Sequence, residues 1–391
     1  MNSGARPSRR DPRSFDVIIA GLGAMGSAAA FHLARRGCAV LGFDRFTPPH
    51  EFGSSHGKSR IIREAYFEHP LYVPLVQRAY DCWAEVEALS GRALFTRTGG
   101  LMIGPTGGAV VGGARRSALT HRLAFEELSP VALRQRVSAF RPDDDSVAIW
   151  EPRAGILDPE AAVDAHLSLA RARGADLRFD EPVLSWAPDG EGVEVRTRTG
   201  TVRAGRLVIA AGAWAHELTP ELALPLSVER NVVYWFSPAR TAPSFAPARF
   251  PIFIHEFAPG RAWYGLPDVG DGVKVALHHQ GELTSADAVR RSVSPGEIAA
   301  MRALLERYLP DANGGLLATS VCLYTNTPDE HFILGAHPAH AAVLIASPCS
   351  GHGFKFSSAI GEAIADLVVD GKSRFDLRPF LPGRLLESRI R

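Results

Sequence analysis

The chain has 391 residues, 46% hydrophobic and 22% charged, which is long and apolar enough to bury a sizeable core and to form two domains. Its 43 basic and 42 acidic residues leave no net field to gather nucleic acid or an anionic membrane surface, so small molecules are the expected partners. The apolar run from Val17 to Ala34 is interrupted by glycines and His32 and changes period partway, which excludes a membrane span there.

Met1 to Ser14 reads as a polar, Pro- and Arg-rich disordered tail. Ser8-Arg9-Arg10 has the look of a twin-arginine export signal, but the apolar segment after it is needed for a nucleotide fold, and a cytoplasmic protein is expected. Cys38, Cys82, Cys322 and Cys349 lie far apart without paired spacing. That pattern predicts neither a zinc site nor a disulfide framework, and it suits a reducing compartment.

Phe15 to Ala20 predicts a buried strand, followed by Gly21-Leu22-Gly23-Ala24-Met25-Gly26 and an alanine-rich helix that stops at Gly37. A second strand, Ala39 to Phe43, ends at Asp44. Amphipathic helices are predicted over Pro70 to Leu89 and over Pro159 to Arg173, the latter stopped by Gly174. From Ala175 to Ala211 short strands turn at Asp189-Gly190 and Thr199-Gly200 and close on the apolar run Leu207 to Ala211, as in a meander inserted into a parallel sheet. Leu226 to His279 alternates in the manner of antiparallel strands, and Ser294 to Tyr308 returns to helix. A last strand, Ala342 to Ala346, leads through Gly351-His352-Gly353 into a helix from Ser357 to Val369. The fold class expected is α/β, with a Rossmann-like domain interleaved with an antiparallel-sheet α+β domain.

In Gly21-x-Gly23-x-x-Gly26 the first glycine permits a tight turn, the second lets a pyrophosphate approach the backbone, and the third lets helix pack on strand. The helix N-terminus then faces the phosphates. Asp44, eighteen residues beyond Gly26, stands where a carboxylate accepts hydrogen bonds from a ribose. The motif implies dinucleotide binding and does not by itself separate FAD from NAD.

Beyond these elements the chain resembles the monomeric sarcosine oxidase family, which includes N-methyltryptophan oxidase and pipecolate oxidase. The likeness covers nearly everything after Phe15. Its most specific pieces are Gly53 through Arg63 (GSSHGKSRIIR), Val321 to Thr325 (VCLYT), Asp329 to Phe332 (DEHF) and Ser350 to Ser357 (SGHGFKFS).

The resemblance implies FAD, joined covalently through a thioether at Cys322, a residue that in isolation would read as a small core side chain. It implies that Arg63 and Lys355 hold the substrate carboxylate, the planar guanidinium in a two-pronged grip and the ammonium as a second charge. Read alone, Arg63 would be a surface residue or a partner of Glu68. Lys274 matches the lysine that promotes reaction with oxygen by stabilising developing superoxide. His278 and Tyr324 match residues that position the amine, Tyr264 a further pocket tyrosine, and His56 and Arg60 residues beside the flavin. Gly351 and Gly353 belong to the lysine-bearing turn at the cofactor. The chain departs from the commoner family pattern at Ser55, Lys58 and Pro348-Cys349, which puts pocket size in question.

The implied division is a tail over 1–14, an FAD-binding domain over 15–93, 155–227 and 328–391, and a substrate domain over 94–154 and 228–327. The implied enzyme is a monomeric, metal-free, FAD-dependent oxidase of a secondary amino acid, of N-methyl or cyclic type, which yields an imine, then amine and aldehyde, with hydrogen peroxide from oxygen. The alternatives are a pipecolate or N-methyltryptophan oxidase, a biosynthetic tailoring amine oxidase, a dehydrogenase using an electron carrier, and a flavin-binding protein without catalysis.

Overall fold

The computed structural model describes residues 14–238, 245–347 and 350–387. The expected tail, apart from Ser14, lies outside them, as do Pro348 and Cys349.

Val17, Ile18 and Ile19 are fully buried because the Ser14–Ala20 strand is covered on both faces, as a central parallel strand must be. It pairs in parallel with Val40–Phe43 on one side and with Thr201–Ile209 on the other, in the registers Val17 to Val40 and Ile18 to Leu207. Asp176–Arg178 and His340–Ser347 extend this parallel core outward, while Ser185–Asp189 and Gly192–Arg196 form the antiparallel meander, closing an eight-stranded sheet with the hairpin strand Ile333–His337.

The helix Ala24–Arg35 packs between the helices Pro159–Arg171 and Ser357–Asp370. Its alanines explain that closeness. A Cβ added at Gly361 would lie 2.5 Å from the backbone of Ala28, so only small side chains fit the crossing.

The second sheet has nine strands. Ser227–Phe236 and Leu316–Asn326 run antiparallel along their whole length, and the path continues through Val273–His278, Arg261–Leu266, Ile252–Ala258, Gly100–Pro105, Ser146–Glu151 and Glu126–Leu128, with Glu282–Thr284 at the other edge. One pairing departs from the antiparallel expectation: Ile252–Ala258 lies parallel to Gly100–Pro105, a strand from a distant part of the chain to which no hairpin joins it. The stretch between 94 and 154, for which no element was predicted, also supplies the helices Ala109–His121 and Pro130–Arg136. A small third sheet joins Arg60–Ile62, Gly155–Leu157 and Phe95–Arg97. It places the Arg60 to Arg63 segment between the two large sheets. No helix of the described residues is long and apolar enough to cross a membrane.

Candidate active site

Gly21 has φ +95°, a conformation open mainly to glycine, and a Cβ there would lie 2.5 Å from the Ala210 carbonyl oxygen. At Gly26 a Cβ would meet the Gly21 carbonyl oxygen at 1.7 Å, so the third glycine is what lets the helix seat on the strand. Gly23 faces a long cavity, where its nearest neighbour would be Ser55 Oγ at 3.3 Å. That hydroxyl accepts from Ala24 N–H at 3.1 Å and ties the Ser54-Ser55 loop to the first turn of the helix. Asp44 also lines the cavity, its carboxylate accepting from Leu22 N–H at 2.7 Å and Phe46 N–H at 2.9 Å. Burial pushes this carboxyl up while the two backbone donors pull it down. A turn stripped of side chains, a helix N-terminus and an anchored acid form a cradle that fits a dinucleotide.

The second sheet supplies the other wall through the two-residue period of its strands. Lys274 and His278 share one face, as do Cys322 and Tyr324, and Tyr264 lies opposite Ala276 between the first pair. Cys322 is buried, with Arg60 Nη2 at 3.7 Å and His56 Nδ1 at 4.0 Å from its sulfur. Burial raises the thiol pKa, but Arg60, His56 and Lys274 outweigh it and bring it down to about 6. This lowering favours the thiolate, the form able to attack an activated flavin methyl group. Lys274 Nζ donates to the carbonyls of Gly57 at 2.7 Å and Ser59 at 2.8 Å and sits 5.4 Å from the Trp235 ring. Burial, with Arg60 nearby, lowers its pKa to about 7. Neither Lys274 nor His56 lines the cavity; both stand behind the wall that Arg60 and Cys322 present to it.

At the far end of the same cavity lie Arg63, Glu68, Tyr264, His278, Tyr324 and Lys355. Arg63 is 1% exposed, and its Nη2 reaches both Glu68 oxygens, at 2.6 and 2.9 Å, while Nη1 donates to the Ala65 carbonyl at 3.0 Å. One guanidinium nitrogen of the expected two-pronged grip is thus taken by the protein's own Glu68 and the other by the Ala65 carbonyl; the Glu68 pKa is held at about 2 because Arg63, His352 and Lys355 overcome its burial. Arg63 Nε is buried and has no partner among the described residues. Lys355 Nζ donates to the His352 carbonyl at 2.7 Å and the Tyr66 hydroxyl at 3.2 Å, and burial beside Arg63 brings its pKa to about 7. His278 is kept neutral by burial and by its neighbour His279. Gly351 has φ +72°, and a Cβ there would meet the Tyr324 ring at 2.6 Å; Gly353 lines the cavity beside it.

Four residues that sequence reasoning passed over shape the site. Tyr66 and His352 bond to each other and surround Lys355, Phe67 faces the Arg63 guanidinium at 4.4 Å, and Glu160 holds the 57–58 turn. A partial signal was present, since Tyr66 follows Arg63 by three positions and His352 precedes Lys355 by three, and buried cations require polar or aromatic partners.

Residues 16–367 match the family model described as FAD dependent oxidoreductase. The chain belongs to this family. Within the FAD dependent oxidoreductases it is 44% identical to a monomeric sarcosine oxidase of Streptomyces avermitilis over 376 residues, covering 95% of this chain and 98% of that protein. It is 40% identical to a monomeric sarcosine oxidase of a Bacillus species, with 94% and 96% covered, and 36% identical to an N-methyl-L-tryptophan oxidase of Salmonella agona, with 94% and 98% covered. Among solved structures it resembles NikD, described as an unusual amino acid oxidase essential for nikkomycin biosynthesis, at a TM-score of 0.82 with 26% identity, covering 95% of this chain and 98% of that one. The L-proline dehydrogenase of P. horikoshii, at 21% identity, 97% and 99% coverage and a TM-score of 0.83, shares the fold. The expected α/β flavoenzyme architecture and the expected family are both borne out, and the chain is an FAD-dependent amine oxidase.

Proposed function

We propose that this protein oxidises a secondary amino acid with molecular oxygen, releasing hydrogen peroxide, and that its FAD is attached through Cys322. The observation that carries the reading is a single cavity running from the glycine turn past a thiolate-prone cysteine to two buried cations. Glu68, already paired with Arg63, is the one opposite charge that favours the Lys355 ammonium among the described residues, and a buried cation is costly unless an anion joins it. An amino acid supplies that anion, and the relatives named sarcosine oxidase and N-methyl-L-tryptophan oxidase supply the amine type.

When bound, the flavin supplies the two-electron acceptor for the substrate and the donor for oxygen. The substrate gives up a hydrogen from carbon, a proton from nitrogen and two electrons in all, and the imine left behind is hydrolysed to amine and aldehyde. Oxygen takes two electrons and two protons to become hydrogen peroxide. Lys355, with one ammonium hydrogen left, and Arg63, through its unpartnered Nε or by giving up Glu68, would hold the carboxylate and so fix the reacting carbon. Neutral His278 with un-ionised Tyr324 and Tyr264 lines the amine end without adding a charge beside the nitrogen. Lys274, anchored by two carbonyls and charged below its lowered pKa of about 7, supplies a cation for the negative charge that forms on oxygen. We assign FAD binding to 15–93, 155–227 and 328–391 on the strength of the parallel sheet those segments build, with 94–154 and 228–327 carrying the substrate wall and the small third sheet crossing the seam.

An anaerobic screen of flavin bleaching with sarcosine, N-methyltryptophan, pipecolate, proline and glycine tests this directly. Bleaching by at least one secondary amino acid supports the reading and names the substrate. No bleaching by any of them, in enzyme that dithionite still reduces, overturns it.

A further inference from the structure

We propose that Tyr66 is a positioning residue for carboxylate binding, one buried phenol that sets the place of both Arg63 and Lys355. The inference deepens the carboxylate reading above and rests on it. Tyr66 is fully buried. Its ring centroid lies 4.3 Å from the Arg63 guanidinium carbon and 5.0 Å from Lys355 Nζ, so one aromatic ring touches both cations.

The hydroxyl is oriented by a chain of bonds whose shortest link, 2.6 Å to His352 Nδ1 against 3.3 Å to the His352 carbonyl oxygen, sets its direction. His352 Nε2 lies 3.0 Å from the Glu330 carbonyl oxygen, which can only accept, so Nε2 carries the hydrogen. Nδ1 is then a lone pair, and the Tyr66 hydroxyl donates to it at 2.6 Å. Burial, which lowers the His352 pKa to about 3, keeps the ring in this neutral form. With its hydrogen committed to His352, the phenol offers only lone pairs to Lys355, whose Nζ donates to it at 3.2 Å. The His352 carbonyl takes a second ammonium hydrogen at 2.7 Å. An ammonium has three hydrogens, so one is left for a ligand, and Lys355 lines the cavity where that ligand would sit.

The charges facing Lys355 are Arg63 and Arg60, which oppose its protonation, and Glu68, which favours it. Tyr66 oxygen favours the ammonium as well. Removing that oxygen therefore makes Lys355 lose its proton at a lower pH and lets the ammonium wander from the place where the guanidinium and carboxylate can meet it.

The experiment uses Tyr66→Phe and His352→Leu holoenzymes, each checked for flavin content and melting temperature, titrated anaerobically with sarcosine and with dimethylamine between about pH 6 and 9. Both variants should bind sarcosine about tenfold more weakly. Their loss of affinity for acetate, titrated in parallel because it has no amine of its own, should begin at lower pH than in wild type, with dimethylamine binding unchanged. Wild-type sarcosine affinity and pH profile in both variants overturn the inference, as does equal weakening of sarcosine and dimethylamine, which marks a merely structural residue. If wild type itself does not prefer sarcosine to dimethylamine and Arg63→Ala changes nothing, the carboxylate reading has failed and the inference falls with it. Wild-type preference lost in Arg63→Ala but kept in Tyr66→Phe and His352→Leu overturns the inference alone. A single failed fold leaves the other variant to decide.

Discussion

Glu160 and Lys274 grip the two polar ends of one residue, Gly57: the Glu160 carboxylate accepts its N–H at 2.7 Å, and the Lys274 ammonium donates to its carbonyl at 2.7 Å. Gly57 has φ +100°, and a Cβ there would come within 3.6 Å of Lys274 Nζ and 3.7 Å of Cys322 Sγ. Glu160 also takes Lys58 N–H at 3.1 Å, so the first turn of the Pro159–Arg171 helix clamps the turn that holds the cation. Stopped-flow measurement of the two half-reactions separates their roles. Lys274→Met should slow reoxidation by oxygen about a hundredfold or more and leave flavin reduction nearly intact. Glu160→Ala, which frees the turn without removing the charge, should slow reoxidation roughly tenfold. Equal slowing of both half-reactions would place Lys274 on the substrate side instead.

Cys322 should carry the flavin. Acid precipitation of the wild type is expected to leave the yellow colour in the pellet, and that of Cys322→Ser to release it to the supernatant. Because the thiol pKa is brought down to about 6, attachment to added FAD should proceed at a steady rate above neutral pH and slow below about pH 6, where the thiol is protonated. Arg60→Met removes the cation that most lowers that pKa and should shift the profile to higher pH.

Removal of either carboxylate-binding cation should weaken sarcosine binding roughly ten- to a hundredfold, since a charge-assisted contact is worth about 1.5–3 kcal/mol. Arg63→Lys should also be impaired, because an ammonium cannot reach both Ala65 and Glu68 as the guanidinium does. The pH dependence has a definite sign. Lys355 is charged below its lowered pKa of about 7 and neutral above it, so the affinity for acetate, which has no amine of its own to titrate, should fall as pH rises through neutrality. Lys355→Met should abolish that fall; its persistence would assign the titration elsewhere.

Gly26→Ala should do more than weaken cofactor binding. Its Cβ would stand 1.7 Å from the Gly21 carbonyl, so the helix must move off the strand, at about 1–3 kcal/mol or more. A melting temperature lowered by several degrees together with lost flavin is expected. Gly37→Ala meets nothing within 4 Å and has only its φ of +80° against it, so it should keep its flavin and lose less stability.

The amino-acid order by itself determined the nucleotide half of this protein, because its signals are local. A strand, a glycine turn, a helix and Asp44 lie within one short stretch, and each glycine answers a backbone demand that its neighbours impose. The helices ending at Gly37 and Gly174 and the meander after Ala175 were legible for the same reason. Resemblance, not periodicity, brought Cys322, Lys274 and Arg63 forward. What only the tertiary structure decided is how these residues are partnered. Glu68 pairs with Arg63, Tyr66 and His352 orient Lys355, and Glu160 holds the turn under Lys274, contacts of which most join residues a hundred or more positions apart. The parallel seam between Ile252–Ala258 and Gly100–Pro105 was hidden likewise, since an alternating strand looks the same whichever way its neighbour runs. Burial adds the rest: the lowered pKa values of Cys322, Lys274 and Lys355 arise from groups that meet only when the two sheets close on the Arg60–Arg63 segment, and no local pattern encodes a charge brought from across the fold.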